Sequence, residues 1–144
     1  MVIRKCDESD YHRLVVIWER SVRCSHDFLT DDIICEIREA LIPCYFPNVA
    51  LYGVEDRGVL VGFVGIAGRK IEMLFVDSDC RGCGYGSALI DYAVNAGATD
   101  VDVNEQNPSA RAFYEAKCFA VISRDETDDS GRPFPILHMS LADR

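Results

Sequence analysis

The chain has 144 residues, of which 49% are hydrophobic and 27% charged, which is typical of one globular domain with its own core. No apolar run is long enough to span a bilayer, and the N-terminus lacks a signal segment, so we expect a cytoplasmic protein with no membrane partner. The formal net charge of −9 argues against nucleic acid as a partner, because phosphate binding needs a basic face. It suits a cationic, amine-bearing substrate, although solubility alone would explain it.

The 7 cysteines, an odd number, fit reduced structural thiols in a cytosolic protein. Cys80 and Cys83 form a C-x-x-C pattern. No second pair of ligands follows to complete a zinc tetrad, so the sequence predicts no metal site.

The first half of the chain alternates between strand and helix patterns. Thr30 is suited to cap the second helix, and Pro43 and Pro47 are expected to end it. Asp56-Arg57-Gly58 is typical of a hairpin turn. The predicted strands cover residues 2–6, 51–55 and 59–67, and the predicted helices cover residues 11–22 and 30–41.

Residues 71–87 contain the most informative pattern of the sequence, a strand followed by a glycine-rich turn and a helix. The apolar run 71–76 predicts a strand covered on both faces of the sheet. After a polar turn comes the loop Arg81-Gly82-Cys83-Gly84-Tyr85-Gly86, which opens a helix. Its three glycines allow backbone conformations that a β-carbon would forbid, and the first-turn N–H groups point at whatever binds there. The natural ligand of this layout is a phosphate group.

Two common phosphate loops do not fit. A Walker loop needs four residues between its glycines followed by lysine, and no lysine is present in this turn. A dinucleotide fingerprint needs its third glycine one residue after Gly86 and a larger open sheet. On the loop alone, a connector that only makes a tight turn is an equally good interpretation.

The second half continues the same architecture. Gly97 is placed as a C-cap, and a strand over 99–103 predicts a parallel pair with a right-handed crossover. Ligands in open sheets bind at the carboxyl ends of such strands, here beside Val76 and Asn104. Asn107 and Pro108 are suited to begin a fourth helix, and residues 120–124 and 136–140 predict the closing strands.

Two motifs together resemble the GNAT superfamily of acyl-CoA-dependent N-acyltransferases. The first is Arg-x-x-Gly-x-Gly from Arg81, and the second is Asn-x-x-Ala-x-x-Phe-Tyr-x-x-x-x-Phe from Asn107. Residues 18–22, 25–29, 103–107 and 137–138 carry a narrower resemblance to the small bacterial YjaB-type branch. The resemblance covers essentially the whole chain. It implies a single GNAT domain over residues 1–144, with a mixed, twisted sheet of six to seven strands and about four helices.

The resemblance also implies a site for acetyl-CoA, wedged where the two parallel strands part. In the superfamily the glycine loop holds the CoA pyrophosphate, and strand backbone groups hold the pantetheine and thioester. The matching residues here are Leu74, Phe75, Val76, Arg81, Gly82, Cys83, Gly84, Tyr85, Gly86, Ser87, Asn104, Asn107 and Tyr114.

The implied reaction is direct attack of a primary amine on the thioester, for which alignment and oxyanion stabilisation supply much of the rate. Tyr114 matches the tyrosine that faces the sulfur, and it would protonate the departing thiolate or hydrogen-bond to it. A base is needed because free amines are mostly protonated at neutral pH. Glu72 is the candidate, since strand alternation places it on the face of Leu74; His26 or a water chain are alternatives.

The acceptor side is expected near the loop between the first two helices and near the last strand. The candidate substrate-binding residues are Trp18, His26, Asp27, Phe28, Leu29 and His138. Asp27 would pair with an ammonium while Phe28 and Leu29 cover its apolar stem. Core packing and local capping are the structural alternatives for these residues.

The predicted function is therefore acetyl transfer from acetyl-CoA to an amine on a small molecule, a protein N-terminus or a lysine, by a monomer or homodimer. The alternative is a non-catalytic acyl-CoA sensor. Two positions depart from the family pattern: Ser78 replaces a frequent proline, and Cys118 replaces a glycine. The second departure predicts that the fourth helix ends differently and that Tyr114 is slightly shifted.

Overall fold

The fold is given by a computed structural model, which describes residues 1–80 and 82–141. Within these residues it contains four helices and seven strands that belong to one mixed sheet. The prediction of an α/β fold with six to seven strands and about four helices is confirmed. The chain divides into two compact units, Met1–Ala98 and Thr99–Arg144.

The first unit contains four strands and three of the helices. In chain order its elements are β1 (Val2–Lys5), α1 (Tyr11–Ser25), α2 (Asp31–Ala40), β2 (Ala50–Asp56), β3 (Val59–Ala67), β4 (Lys70–Val76) and α3 (Tyr85–Asn95). Each strand pairs antiparallel with the next one in the chain. The predicted hairpin is confirmed, because Arg57 and Gly58 form its turn with φ of 55° and 79°, as two-residue hairpin turns require.

Strand β3 lies at the centre of the first unit, where all residues in the range 60–65 are buried. Phe63 packs with apolar residues of α1 in the hydrophobic core. The adjacent Gly62 faces the other side, where an added β-carbon would lie 3.2 Å from Leu89 of α3. Because consecutive strand residues point to opposite faces, α1 and α3 cover the two faces of β3.

The sequence predicted that β4, rather than β3, would be buried on both faces, and this prediction is wrong. In β4 only Ile71 is buried, Glu72 is exposed, and residues 73–76 are half-buried. Both strands are rich in apolar residues, so composition does not separate them. The packing on their faces does: Phe63 of β3 lies in the core beside α1 and Gly62 faces Leu89 of α3, whereas residues 73–76 of β4 are only half-buried.

The first two helices begin as predicted, α2 ends within one residue of the prediction, and α1 ends later. Helix α1 continues three residues beyond the predicted end, to Ser25, and the main-chain N–H of His26 donates to the carbonyl of Val22. The Thr30 hydroxyl accepts from the N–H of Ile33, which confirms the predicted N-cap of α2. No helix in the described ranges is both long and apolar enough to cross a bilayer.

Pro43 and Pro47 do not end the helical backbone, contrary to the prediction. After α2 the chain continues through a π-type turn, Leu41–Tyr45, and a 3₁₀ turn, Phe46–Asn48. Pro47 occupies the first turn of the 3₁₀ segment, where its missing N–H is not needed. The wider π turn accommodates Pro43, whose ring would otherwise clash with the carbonyl four residues earlier.

The second unit contains three strands and one helix. Its elements are β5 (Asp100–Asn104), α4 (Pro108–Ala116), β6 (Phe119–Asp125) and β7 (Ile136–Leu141). Strand β7 pairs antiparallel with both β5 and β6. The Asn107 side chain accepts from the N–H of Ala110 at 3.2 Å, so the predicted cap of α4 is confirmed.

The end of α4 corrects the expectation for Cys118. Its φ is 73°, the left-handed conformation that glycine adopts at this position of a helix end. The helix therefore ends as it would with glycine, at a cost of roughly 1–2 kcal/mol for the β-carbon. The prediction of a different helix end at this residue is wrong.

Candidate active site

The glycine loop lies between the end of β4 and the start of α3. Gly82 and Gly84 have φ of 79° and 84°, so both need the left-handed conformation, and an added β-carbon at either would meet no atom within 4 Å. Gly86 lies in the first turn of α3, so the prediction that all three glycines adopt conformations forbidden to other residues holds only for the first two. Arg81 lies outside the described residues.

The first turn of α3 presents main-chain N–H groups. Gly84 is the N-cap and offers no side chain, and among the described residues no other side chain caps this helix. The Gly84 carbonyl accepts from Ala88 at 3.0 Å, which leaves the N–H groups of Tyr85, Gly86 and Ser87 without a helical partner. With the partial positive charge of the helix terminus, this turn is suited to bind an anion.

The side chain of Tyr85 anchors the start of this helix. Its hydroxyl donates to Asp56 Oδ2 at 2.6 Å, and Asp56 ends β2. The Asp56 carboxylate raises the pKa of Tyr85 to about 12. The main chain of Tyr85 thus belongs to the glycine loop. Its buried ring and its hydroxyl hold α3 against the hairpin formed by β2 and β3.

Asp77 is the residue of this region that sequence reasoning missed. It directly follows β4, and it is one of two buried polar residues in the described chain, at 3% exposure. Its carboxylate forms ion pairs with Arg13 and Arg20, each at 3.2 Å. The sequence did contain a signal for this ion-pair network. Arg13 and Arg20 lie about two turns apart on one face of a predicted helix, and an aspartate directly follows an apolar strand.

Strand β4 leads into the loop through the predicted donor residues. Leu74, Phe75 and Val76 lie opposite Val64, Phe63 and Gly62 of β3. The Phe75 ring lies 5.8 Å from that of Phe63 and packs against the core, so its side chain is structural and its main chain is what a ligand would meet.

Glu72 lies at a β-bulge. Met73 pairs with Gly65 and Ile71 with Ile66, so Glu72 has no partner residue in β3. The bulge interrupts the alternation on which the prediction for Glu72 relied. The carboxylate is exposed, and its Oε1 lies 3.8 Å from the Lys70 ammonium.

The loop from α1 to α2 places the candidate acceptor residues in different environments. Trp18 is 4% exposed and belongs to the core, and Leu29 packs against that core. Asp27 is exposed. The rings of His26 and Phe28 lie 5.4 Å apart, and both are half-buried.

His26 is oriented by the serine before it. The Ser25 hydroxyl donates to the Ser21 carbonyl at 2.9 Å and lies 2.7 Å from His26 Nδ1. Since the one proton of the hydroxyl goes to the Ser21 carbonyl, the hydroxyl accepts from Nδ1–H, which orients the ring.

The second unit holds Asn104, Asn107 and Tyr114. The side chains of both asparagines organise local backbone, because Asn104 accepts from the N–H of Gln106 and Asn107 caps α4. Tyr114 is 7% exposed and packs edge-on against Phe113 and Phe119. Burial raises the pKa of Tyr114, which keeps the phenol protonated at neutral pH.

His138 bridges the three strands of the second unit. Nδ1 lies 2.6 Å from Asp102 Oδ1 on β5, and Nε2 lies 2.7 Å from Asp125 Oδ2 on β6. Carboxylates only accept, so both ring nitrogens donate and the ring is an imidazolium. Asp125 and then Asp102 raise the pKa of His138 above its usual value. Both nitrogens are thus engaged within this unit.

The structure groups the predicted residues by unit. The described donor residues of β4 and the glycine loop meet at one end of the first unit, and the loop 26–29 follows α1 in that unit. Asn104, Asn107, Tyr114 and His138 belong to the second unit. In the described part of the chain, no three His, Cys, Asp or Glu side chains are grouped as a metal site requires.

The sequence profile of the Acetyltransferase (GNAT) domain matches residues 38–141. Peptidyl-lysine N-acetyltransferase YjaB of Escherichia coli (strain K12) is 39% identical over 140 residues, 96% of this chain and 95% of that relative. YjaB of Salmonella typhimurium (strain LT2) is 37% identical, covering 95% of each chain. The solution structure of apo-form YjaB from Escherichia coli has a TM-score of 0.89 at 36% identity, covering both chains fully.

The chain therefore belongs to the GNAT acetyltransferase family. It is an acetyl-CoA-dependent N-acetyltransferase that transfers an acetyl group to an amine. The sequence prediction of family, fold, donor and reaction is confirmed, and the relatives give no support to the non-catalytic sensor. The fold is shared more widely, for example with the PaiA N-acetyltransferase of Thermoplasma acidophilum in complex with coenzyme A (TM-score 0.71, 18% identity, 96% of this chain and 98% of that one).

The His138 bridge makes stability depend on pH. A histidine whose folded pKa is raised contributes stability that is complete below the unfolded value of about 6.5 and is lost as pH rises through the folded pKa. We expect His138→Gln to lower the melting temperature by roughly 3 °C at pH 6 and by clearly less at pH 9. Thermal melts at both pH values measure this.

The matched control is His12→Gln, which replaces an exposed histidine of α1. Its melting temperature should follow the wild type at both pH values. An equal loss at pH 6 and pH 9 for His138→Gln would show that the ring acts by packing and not as an imidazolium.

Proposed function

We propose that the acceptor is the side-chain amine of a lysine in a peptide or protein. The observation that carries this proposal is the similarity, over nearly the full length of the chain, to two relatives named as peptidyl-lysine N-acetyltransferases. The net charge of −9 supports it, because a lysine presented on a basic segment is drawn to an acidic protein. Asp27 is exposed on the loop after α1 and is available to pair with an ammonium.

For the donor, we propose that the pyrophosphate of acetyl-CoA binds the loop and first helical turn, through Gly82, Cys83, Gly84, Tyr85, Gly86 and Ser87. Arg81 would add a charge from the same loop. The main chain of Leu74, Phe75 and Val76 would hold the pantetheine and the thioester carbonyl. We also propose Asn104 and Asn107 as residues of the acetyl-CoA site, because they match the family pattern. What supports the loop assignment is its left-handed glycines and the uncapped first turn of α3.

The proposed reaction has one covalent step. The neutral lysine nitrogen attacks the thioester carbon, a C–N bond forms, the C–S bond breaks, and coenzyme A leaves as its thiolate. The nitrogen releases one proton to solvent as the amide forms, and the thiolate takes one up from solvent to become the free thiol. The ammonium must first lose a proton, and Glu72 is the proposed base because its carboxylate is exposed at the bulge of β4. His26 is the second candidate, since its half-buried imidazole lies on the loop after α1 beside the proposed acceptor residue Asp27.

Tyr114 is the proposed partner of the departing sulfur. A thiol has an ordinary pKa of about 8.5, whereas burial raises the pKa of Tyr114 above the phenol value of 10. Full proton transfer from the phenol to the thiolate is therefore uphill. A hydrogen bond from the phenol to the developing thiolate is the more favourable role, and it stabilises charge that exists only late in the reaction.

We also propose that residues 1–144 act as one catalytic domain, since the family profile spans both units. A cytoplasmic location is supported by seven free cysteines, which suit a reducing compartment. The acidic charge supports the absence of a nucleic-acid partner. For the assembly we propose a monomer or homodimer.

The acceptor proposal is tested with two peptides of the same sequence, offered with acetyl-CoA. One carries a free internal lysine and a blocked N-terminus; the other carries a free N-terminus and a blocked lysine. We expect acetylation of the first and little of the second, because only the lysine places an amine at the end of a long apolar stem. Mass spectrometry with fragmentation locates the acetyl group. Acetylation of the second peptide without acetylation of the first would refute the lysine proposal.

The proposed role of Tyr114 is tested by Tyr114→Phe. Losing a hydrogen bond to a charged sulfur should lower kcat about 10- to 100-fold, while the affinity for acetyl-CoA stays within about twofold. Steady-state kinetics and calorimetric titration measure the two quantities. Tyr92→Phe, on α3, is the control for removing a phenol and should keep wild-type kcat. Wild-type kcat in Tyr114→Phe would leave the residue a packing role only.

A further inference from the structure

Asp77 lies at the junction between the last residue of β4 and the segment that leads into the glycine loop. A 3₁₀ turn, Ser78–Cys80, follows it. The carboxylate is almost fully buried, at 3% exposure for the residue. A buried carboxylate is costly unless it is paired and hydrogen-bonded, so its surroundings are constrained.

Two arginines of α1 supply the opposite charges. Arg13 Nη2 lies 3.2 Å from Asp77 Oδ2, and Arg20 Nε lies 3.2 Å from Asp77 Oδ1. Arg13 also donates from Nε to the carbonyl of Leu60 on β3 at 2.9 Å. Arg20 also pairs with Asp79 in the 3₁₀ turn. The guanidinium groups therefore connect one helix to a strand and to the turn before the loop.

The main chain of Asp77 completes the connection. Its N–H donates to the Val61 carbonyl at 2.8 Å, and its own carbonyl accepts from Cys80 at 2.8 Å. Its Oδ1 also accepts from the N–H of Asp79 at 3.2 Å. One residue thus fixes the strand end, the turn that follows and the facing helix, and Cys80 lies two residues before Gly82.

We propose that Asp77 is a positioning residue for the acetyl-CoA pyrophosphate, acting through Arg13 and Arg20 on the loop of Gly82 and Gly84. The inference rests on the proposed placement of the pyrophosphate on that loop. Main-chain N–H groups bind an anion well only if they are held in place beforehand, to within about 0.5 Å. Gly82 and Gly84 have no side chains, so the position of their main chain depends strongly on what anchors each end of the loop. Tyr85 with Asp56 anchors the helix side, and Asp77 anchors the strand side.

The discriminating experiment compares two donors, acetyl-CoA and S-acetyl-pantetheine, which has the thioester but no pyrophosphate. We expect Asp77→Asn to raise the KM for acetyl-CoA about 10-fold, with kcat at saturating donor within about twofold. With S-acetyl-pantetheine, kcat/KM should stay within about twofold of wild type. Asp129→Asn is the control for removing an aspartate charge, because Asp129 is exposed between β6 and β7 and outside this network; it should leave the kinetics with both donors at wild-type values.

An equal loss with both donors would show that Asp77 only supports the fold, and an unchanged KM for acetyl-CoA would show that it does not position the loop. If Asp77→Asn does not fold, Arg20→Gln gives the same comparison, since Arg20 is 40% exposed. We expect the same direction with a smaller change, and equal losses with both donors would again overturn the inference. Failure of the loop assignment itself is distinguishable, because wild type would then use the two donors equally well.

Discussion

The buried ion pairs of Asp77 are the interaction on which the rest of the site depends. A carboxylate removed from water costs several kcal/mol unless opposite charges and hydrogen bonds compensate. Here the compensation comes from Arg13 and Arg20 of α1 and from main-chain groups on β3 and the following turn. Because the carboxylate is stable only where these groups converge, it fixes the start of the glycine loop relative to α1. The same helix leads directly to the loop carrying His26 and Asp27.

This arrangement explains how an acidic protein can hold a polyanionic donor. A net charge of −9 repels a pyrophosphate at long range. The first turn of α3 offers N–H dipoles instead, at a point where Gly84 leaves the helix uncapped. Dipoles act over a few ångströms, so the loop needs rigid support on both sides. Asp77 supplies it before the loop and the Tyr85–Asp56 hydrogen bond after it. The overall charge is then free to favour a cationic acceptor.

Local patterns were sufficient to predict most of the elements. The caps at Thr30 and Asn107 and the turn at Arg57-Gly58 depend on neighbours a few residues away, and each is confirmed. The predictions that were wrong concern features set by residues distant in the sequence. Which of β3 and β4 is buried on both faces is decided by what packs on those faces, and Pro43 is accommodated by a π turn that composition does not reveal.

The candidate site divides in the same way. The glycine loop, Asn107 and Tyr114 form motifs that can be read in the sequence. The partners of Asp77 and His138 lie in other elements, so nothing near these residues in the chain indicates them. At Cys118 the backbone keeps the glycine conformation despite the β-carbon, because the helix end and the strand after it require it. Local propensity predicted the opposite.

Binding of acetyl-CoA at the loop before α3 is tested by calorimetric titration of acetyl-CoA into Gly84→Asp and, as a matched control, into Gly68→Asp. Both glycines are left-handed, with φ of 84° and 61°, and a β-carbon at either meets no atom within 4 Å, so the two substitutions strain the backbone alike. Only Gly84 lies at the helix terminus, where a carboxylate would repel the pyrophosphate. We expect wild-type affinity for Gly68→Asp and a loss of about 100-fold or more for Gly84→Asp. Equal affinity in the two variants would contradict binding of acetyl-CoA at this loop.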